Sequence, residues 1–326
     1  MNYRRRQLCT AAAASIAATL GNGVAMAQQF KPARPVRILV PYLPGGVPDI
    51  VSRQIAKELT SLWNQPVIVE NKPGAAGGIA TEYLARSAGD GLTFMVADDG
   101  ALVSAPLLKA KLSYDPLVDV VPIGTVGASP YVIVGPPNSP SLGELFAKAR
   151  ANPGAVDYAS NGVGGPHHLV WEQWQEDLRL KLTQVPYNGT LPALQDVSAG
   201  LVALMAATPS SAQSLLQAGR VKALAAVSKE RFRFLPDLPT TVELGFPEMQ
   251  GEAWYGMMAP GSMSRDLVEK IGADLRRVLQ SKEFAISLED RNNLPLVLNS
   301  KQTLERINKQ RARAMALFKR IGLKPA

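Results

Sequence analysis

The sequence predicts an α/β protein in which short strands alternate with helices in two units. Apolar, β-branched runs alternate with helical patterns along nearly the whole chain. Several strand-to-helix junctions are Gly/Pro-rich turns. A length of 326 residues, 46% hydrophobic and 19% charged, suffices for one large α/β unit or two smaller domains.

Strands are expected at 36–40, 67–70, 93–97, 120–126, 131–134, 157–159, 183–185, 202–206 and 221–226. Helices are expected at 50–63, 78–87, 142–151, 166–178, 191–199, 210–218, 265–280 and 302–321. This alternation argues for parallel sheets covered on both faces. In such sheets ligands sit beyond the carboxyl ends of the strands. The second unit begins near Pro130 and ends in the turn-rich stretch 234–247, which carries Pro236, Pro239, Gly245 and Pro247. Residues 254–259 then lead the chain back. The expected organisation is a leader over 1–27, a first domain over 28–127 plus 250–326, and a second over 128–249, with a cleft between the domains.

The leader is read from Arg4-Arg5-Arg6, an Ala-rich apolar region over 8–24 and the small-residue site Ala25-Met26-Ala27. Cleavage after about Ala27 predicts an exported, periplasmic protein. Arg5-Arg6-Gln7-Leu8 partly resembles a twin-arginine signal, and Sec export fits equally well. The only cysteine, Cys9, lies inside the leader, so the mature chain has none. That excludes disulfides, thiolate metal sites and a cysteine nucleophile. Removing the leader takes the net charge from +8 to +5, because its charged residues are Arg4, Arg5 and Arg6. The basic residues are scattered, without the clustering and aromatic interleaving that nucleic acid requires. Nothing signals an oligomer, and a monomer is expected.

Four turns are candidate sites. In the first, strand 36–40 runs into Pro41-Tyr42-Leu43-Pro44-Gly45-Gly46-Val47-Pro48-Asp49 and then into a helix. Such a turn aims backbone N–H groups and the positive end of a helix dipole at the space above the strand, which suits a small anion. Pro48 fits the first helical turn, and Asp49 is a good capping residue. The second turn runs from Tyr158 through Ser160, Asn161, Gly162, Gly164, Gly165 and Pro166 to His167 and His168. The third is Val185-Pro186-Tyr187-Asn188-Gly189-Thr190, with Tyr187 at the strand end. The fourth is Asn71-Lys72-Pro73-Gly74-Ala75-Ala76-Gly77-Gly78, read as loop packing.

His167 and His168 are the only histidines. Neighbours in a helix point apart, so they form no metal pair, and His168 reads as a capping or hydrogen-bonding residue. There is no Gly-x-Ser-x-Gly elbow and no His-Glu-x-x-His. Helix-opening turns without catalytic apparatus favour a binder that needs neither metal nor cofactor over an enzyme.

An ordered set of segments resembles the Bug family, the extracytoplasmic solute receptors of tripartite tricarboxylate transporters. The pieces are Val40-Pro41-Tyr42 with Gly45, Gly46 and Asp49; the stretch 66–75; Tyr114-Asp115-Pro116; the stretch 158–169; Val185-Pro186-Tyr187 with Gly189; Gln217-Ala218-Gly219-Arg220; Leu235-Pro236-Asp237-Leu238-Pro239-Thr240; and Trp254-Tyr255-Gly256. The resemblance implies a two-domain periplasmic-binding-protein fold of the type II kind. It implies that the first two turns together hold one ligand carboxylate through backbone groups, hydroxyls and waters. Its partners would be a small carboxylate and the subunits of a membrane transporter.

On this reading the ligand-binding residues are Tyr42, Gly45, Gly46, Asp49, Ala101, Ser160, Asn161, Gly165, His168, Tyr187, Ala207 and Thr208. Three departures from the family stand out. Leu43, Val47 and Pro48 replace small or hydroxyl residues. Ala206-Ala207-Thr208 replaces Phe-Asp-Asn or Phe-Asp-Gly, whose Asp can pair with a ligand ammonium. Ala207 cannot, so a carboxylate without an ammonium group is expected, aromatic or dicarboxylic. Asp98-Asp99-Gly100-Ala101 replaces a stretch richer in Ser, Thr and Asn, and its acids would repel a carboxylate unless they point away or meet a donor. Two other readings are a receptor of the same fold that presents its ligand to a signalling sensor, and a periplasmic hydrolase.

Overall fold

The computed structural model describes residues 30–290 and 292–325, so the expected leader lies outside the described residues. The first half of the sheet is built from β1 (Val36–Val40), β2 (Val67–Asn71) and β3 (Thr93–Asp98), with β1 parallel to both neighbours. The long strand β4 (Val120–Gly135) and β9 (Glu252–Pro260) complete it. The second half holds β5 (Asp157–Ser160), β6 (Thr183–Pro186), β7 (Leu204–Ala207) and β8 (Lys222–Val227). The strand order is β2-β1-β3-β9-β4-β7-β5-β6, and β8 also pairs with β4.

The sheet is mixed rather than parallel. β9 runs antiparallel to β3 and β4, and β4 runs antiparallel to β7 and β8. The alternation pattern misled because it reveals that strands and helices take turns, not which way a returning strand runs. Segments 120–126 and 131–134, expected as two strands, are one. Pro130 reads as a breaker, yet it stands where β4 leaves β9: Pro130↔Glu252 is the last pair on that side, and Tyr131↔Val227 opens the pairing with β8. A proline is tolerated at such a change of partner. The segment 254–259 is the core of β9, which runs from beside Pro130 back into the first half of the sheet.

Helices α1 (Val47–Trp63), α2 (Gly78–Ala85), α3 (Leu142–Ala151), α4 (Pro166–Leu178), α5 (Thr190–Ser198), α6 (Pro209–Gln217), α7 (Arg265–Leu279) and α9 (Ser300–Ile321) lie within three residues of their expected bounds. Helix α8 (Lys282–Glu289) and the irregular helical segment 100–107 were not foreseen. α1 and α7 cover one face of the first half-sheet, where Ile55, Leu59 and Trp63 meet Ile271 and Leu275 over Ile38 and Phe94. Burying each such side chain contributes about 1.5–3 kcal/mol. The indole Nε1 of Trp63 donates to Asp274 Oδ2 at 2.7 Å, which ties α1 to α7.

The buried clusters separate along the chain. Two draw on 36–128 and 254–307, and two on 131–249. β4 runs through both sets. The carboxyl ends of β1 and β5 each feed a turn and a helix, and these turns are the candidate site.

Candidate functional site

The turns after β1 and β5 share one design. In the first, Gly45 has φ 96°, Gly46 is extended at φ −75° and ψ 167°, and α1 follows. In the second, Gly164 has φ 75°, Gly165 is extended at φ −71° and ψ 167°, and α4 follows. Both left-handed positions suit glycine because a Cβ there would be strained. Each helix has a proline in its first turn, where no partner for the missing N–H is needed.

Each turn is also tied from within. The Gly45 amide donates to Asp49 Oδ2 at 3.0 Å, and the Gly164 amide donates to His168 Nδ1 at 2.8 Å. Both acceptors lie four residues after the glycine they bind.

Neither helix has a side-chain cap. α3, α6, α7, α8 and α9 are capped by the side chains of Ser141, Thr208, Ser264, Ser281 and Asn299. α1, α2, α4 and α5 begin at Gly46, Gly77, Gly165 and Gly189, and no side chain caps them. These are the four turns singled out in the sequence. An uncapped start keeps its first-turn amides for water or a ligand, and the helix dipole favours an anion there.

The electrostatics differ between the two ties. Asp49 is 3% exposed. Burial pushes its pKa up, but hydrogen bonds from Arg53, Gly45 and Asn71 outweigh that and hold it below the ordinary value. His168 is buried too, and desolvation lowers its pKa against the pull of Glu172. A neutral imidazole that accepts at Nδ1 carries its proton on Nε2, which lies 3.8 Å from Glu172 Oε1. Glu172 Oε1 in turn accepts from Tyr158 Oη at 3.1 Å and Gln175 Nε2 at 2.7 Å.

Tyr42 Oη donates to Asp98 Oδ1 at 2.5 Å, and the Ala101 amide donates to the same oxygen at 3.0 Å. Both bonds engage the Asp98 carboxylate within the protein. Burial raises the pKa of Asp98, and burial together with the Asp98 charge raises that of Asp99 well above the ordinary value, against Arg306. The Pro166 ring would lie 3.2 Å from a Cβ on Gly100, so the start of α4 abuts the 98–101 segment. The second turn thus reaches the first half-sheet.

Several expected ligand residues face other duties. Ala207 is fully buried among Val132, Ala159 and Ala193, so its methyl belongs to the core. Thr208 uses its hydroxyl to cap α6. Ala101 is 2% exposed, and its methyl fills the space beside Gly77. Ser160 is enclosed, and its hydroxyl accepts from Gln184 Nε2 at 2.8 Å. Tyr187 Oη donates to Asp196 Oδ2 at 2.7 Å, and burial followed by that bond pushes its pKa up to about 12. Asn161 Oδ1 is buried without a hydrogen-bond partner and faces the Gly165 backbone.

Sequence reasoning missed Arg53, Glu172 and Gln184, and took Asn71 only as part of a packed loop. Arg53 was legible, since it stands one helical turn beyond Asp49. Gln184 was not, because its bond to Ser160 depends on strand pairing.

A groove of about 860 Å³ lies elsewhere, lined by Arg34, Arg37, Lys72, Tyr83 and Arg86. Its cations are already paired with Asp90, Glu70 and Glu82. Among the described residues no group of three or more His, Cys, Asp or Glu could hold a metal ion. No described helix is long and apolar enough to cross a membrane.

Residues 51–323 match the family described as tripartite tricarboxylate transporter family receptor. The protein BugT of Bordetella pertussis is 33% identical over 289 residues, which span 88% of this chain and 89% of that protein. The solved structure of R. palustris Rpa4515 with adipate has a TM-score of 0.77 at 27% identity, covering 90% of this chain and 99% of that one. That of MatC from Rhodopseudomonas palustris with bound malate has a TM-score of 0.70 at 30% identity, covering 87% and 98%.

Proposed function

The chain belongs to the tripartite tricarboxylate transporter receptor family, whose members bind solutes rather than catalyse reactions, and from that premise we propose that it captures a small organic carboxylate in the periplasm and delivers it to a membrane transporter. The observation that carries this reading is the pair of uncapped, internally tied turns after β1 and β5. Each offers first-turn amides and a positive dipole end to one anion, and each such end contributes about 0.3–1 kcal/mol when exposed.

The working units in this reading are 28–127 with 250–326 and 128–249, closing on the ligand as two lobes of a monomer. The separation of the buried clusters supports it. So does β4, whose change of partners at Pro130 supplies a strand shared by both lobes. The leader over 1–27 would direct export.

The ligand proposed is a carboxylate without an ammonium group, dicarboxylic or aromatic. Adipate and malate, present in the two similar structures, are both dicarboxylates without an amine. Asp98 is engaged by Tyr42 and Ala101, which spares the ligand much of its charge. Burial and the Asp98 charge raise the pKa of Asp99, which lessens its opposition to an anion.

Thermal unfolding of the purified protein against adipate, malate, benzoate, aspartate and glutamate tests this. A ligand that binds only the folded state raises the midpoint with concentration. Shifts confined to the acids without an amine support the reading, and tight binding of aspartate or glutamate overturns the ligand class.

A further inference from the structure

The two turns correspond residue for residue: Gly45 with Gly164, Gly46 with Gly165, Val47 with Pro166, Pro48 with His167, and Asp49 with His168. The correspondence extends to the left-handed glycine, the extended glycine after it, the uncapped helix and the tie four residues on. One acceptor is an anion and the other a neutral imidazole. We propose that His168 is the positioning residue of the second turn, acting through the Gly164 amide as Asp49 acts through Gly45, and that it does not itself contact the ligand. This rests on the carboxylate-binding reading above.

Three observations support the role. The Gly164 amide needs an acceptor, because the residue is buried and the atoms nearest its Cα side are apolar. A Cβ there would fall 2.5 Å from Leu108 Cδ2, 3.1 Å from Leu323 Cδ2 and 3.2 Å from Phe318 Cζ. An amide left unpaired in such surroundings is costly, so the imidazole fixes which way the turn faces. The acceptor is also uncharged. An anion at this place would oppose the ligand carboxylate, and in the first turn Arg53 offsets the Asp49 charge from 2.9 Å. No arginine is needed in the second turn. Finally, the far side of the ring is spoken for: Nε2 faces Glu172, which Tyr158 and Gln175 hold in place.

The tie has a chemical consequence. A protonated imidazole has no lone pair on Nδ1 and cannot accept from Gly164. The charged or titratable groups around it are Glu172 on the same helix, Tyr158 on β5, the neighbouring His167, kept neutral by burial, and the Arg320–Glu176 pair that reaches α4 from α9. Of these, Glu172 favours the charged ring and burial opposes it. Acid therefore releases the second turn, while Asp49 keeps the first.

Adipate and malate serve as probes, read by calorimetry, with Gly164 amide exchange read by NMR. His168→Leu keeps apolar bulk and removes the acceptor; affinity is expected to fall about tenfold, the value of one well-made hydrogen bond. The Gly164 amide should lose its protection in the same variant. His168→Asn places Oδ1 where Nδ1 stood and does not titrate. It should recover most of the affinity, and its affinity should fall less than the wild type's as pH is taken down below the ordinary imidazole range, ligand protonation being common to both. Wild-type affinity in His168→Leu overturns the positioning role, and unchanged Gly164 protection overturns the tie. A wild-type protein that binds neither probe counts against the carboxylate reading instead, and amide exchange then decides on the tie alone.

Discussion

Asp49 and Arg53 form a two-pronged pair on α1, with Nε at 3.1 Å from one carboxylate oxygen and a terminal nitrogen at 2.9 Å from the other. The same carboxylate accepts from Asn71 at 2.9 Å and from the Gly45 amide. One buried anion thus joins α1, the end of β2 and the first turn.

Replacing Asp49 by alanine strands the Gly45 amide and the Asn71 side chain, and is expected to cost about 1–3 kcal/mol in urea denaturation. Arg53→Ala should cost less than about 1 kcal/mol, because the arginine side chain is 54% exposed and water screens the pair. The Asp49 pKa is depressed in the folded state, so its contribution is present above the unfolded value of about 3.9 and is lost as pH falls through the lower folded value. The wild type should therefore lose more stability than Asp49→Asn between pH 4 and the acid end of the titration.

Asp274 carries the opposite sign. Burial raises its pKa, against the bond from Trp63, so ionisation is disfavoured in the folded protein. Its stabilising contribution is complete below the unfolded value of about 3.9 and is lost as pH rises through the raised folded value. Asp274→Asn keeps an oxygen for the indole and removes the charge, so at pH 7 it should be neutral or stabilising. Trp63→Ala is expected to cost about 3–5 kcal/mol through the cavity in the α1–α7 contact. Thermal midpoints of the two variants at pH 7 check both signs.

Thr208 distinguishes a cap from a ligand contact. Its hydroxyl accepts from Ser211 N at 3.4 Å and donates to Ser211 Oγ at 3.0 Å. Thr208→Ala should lower stability by about 1 kcal/mol. Adipate affinity should stay near the wild-type value, and a large loss of affinity at unchanged stability would return Thr208 to the binding surface.

The contrast between Thr208 and Gly165 shows what was legible in the sequence. The four uncapped turns were visible because glycine before a helix is a local signal, and strands β1 and β5 announced themselves by composition. The direction of β9 was not visible, since Trp254 and Tyr255 read the same in either orientation and the pairing with β4 is made across more than a hundred residues. The surroundings of Ala207 were hidden for the same reason: it ends β7, and strand pairing with Val132 decides that its methyl enters the core. The ties from Asp49 and His168 were accessible in principle, because an acceptor four residues after a left-handed glycine is a spacing written in the chain.

Tyr42 and Asp98 supply the last test. The phenol donates a hydrogen bond to the Asp98 carboxylate, and burial raises the pKa values of both groups. Tyr42→Phe removes that donor and leaves the Ala101 amide as the other bond to the same oxygen. The charge of Asp98 then bears more strongly on a bound carboxylate, and affinity for adipate should fall about tenfold, the value of one such bond. Asp98→Asn in the Tyr42→Phe background removes the repulsion and should restore much of the loss. A double-mutant cycle in calorimetry reads the coupling directly, and two residues in contact are expected to couple by about 0.5–3 kcal/mol. Independent, additive losses would mean that Asp98 does not act on the ligand, and that the phenol only holds the 98–101 segment against β1.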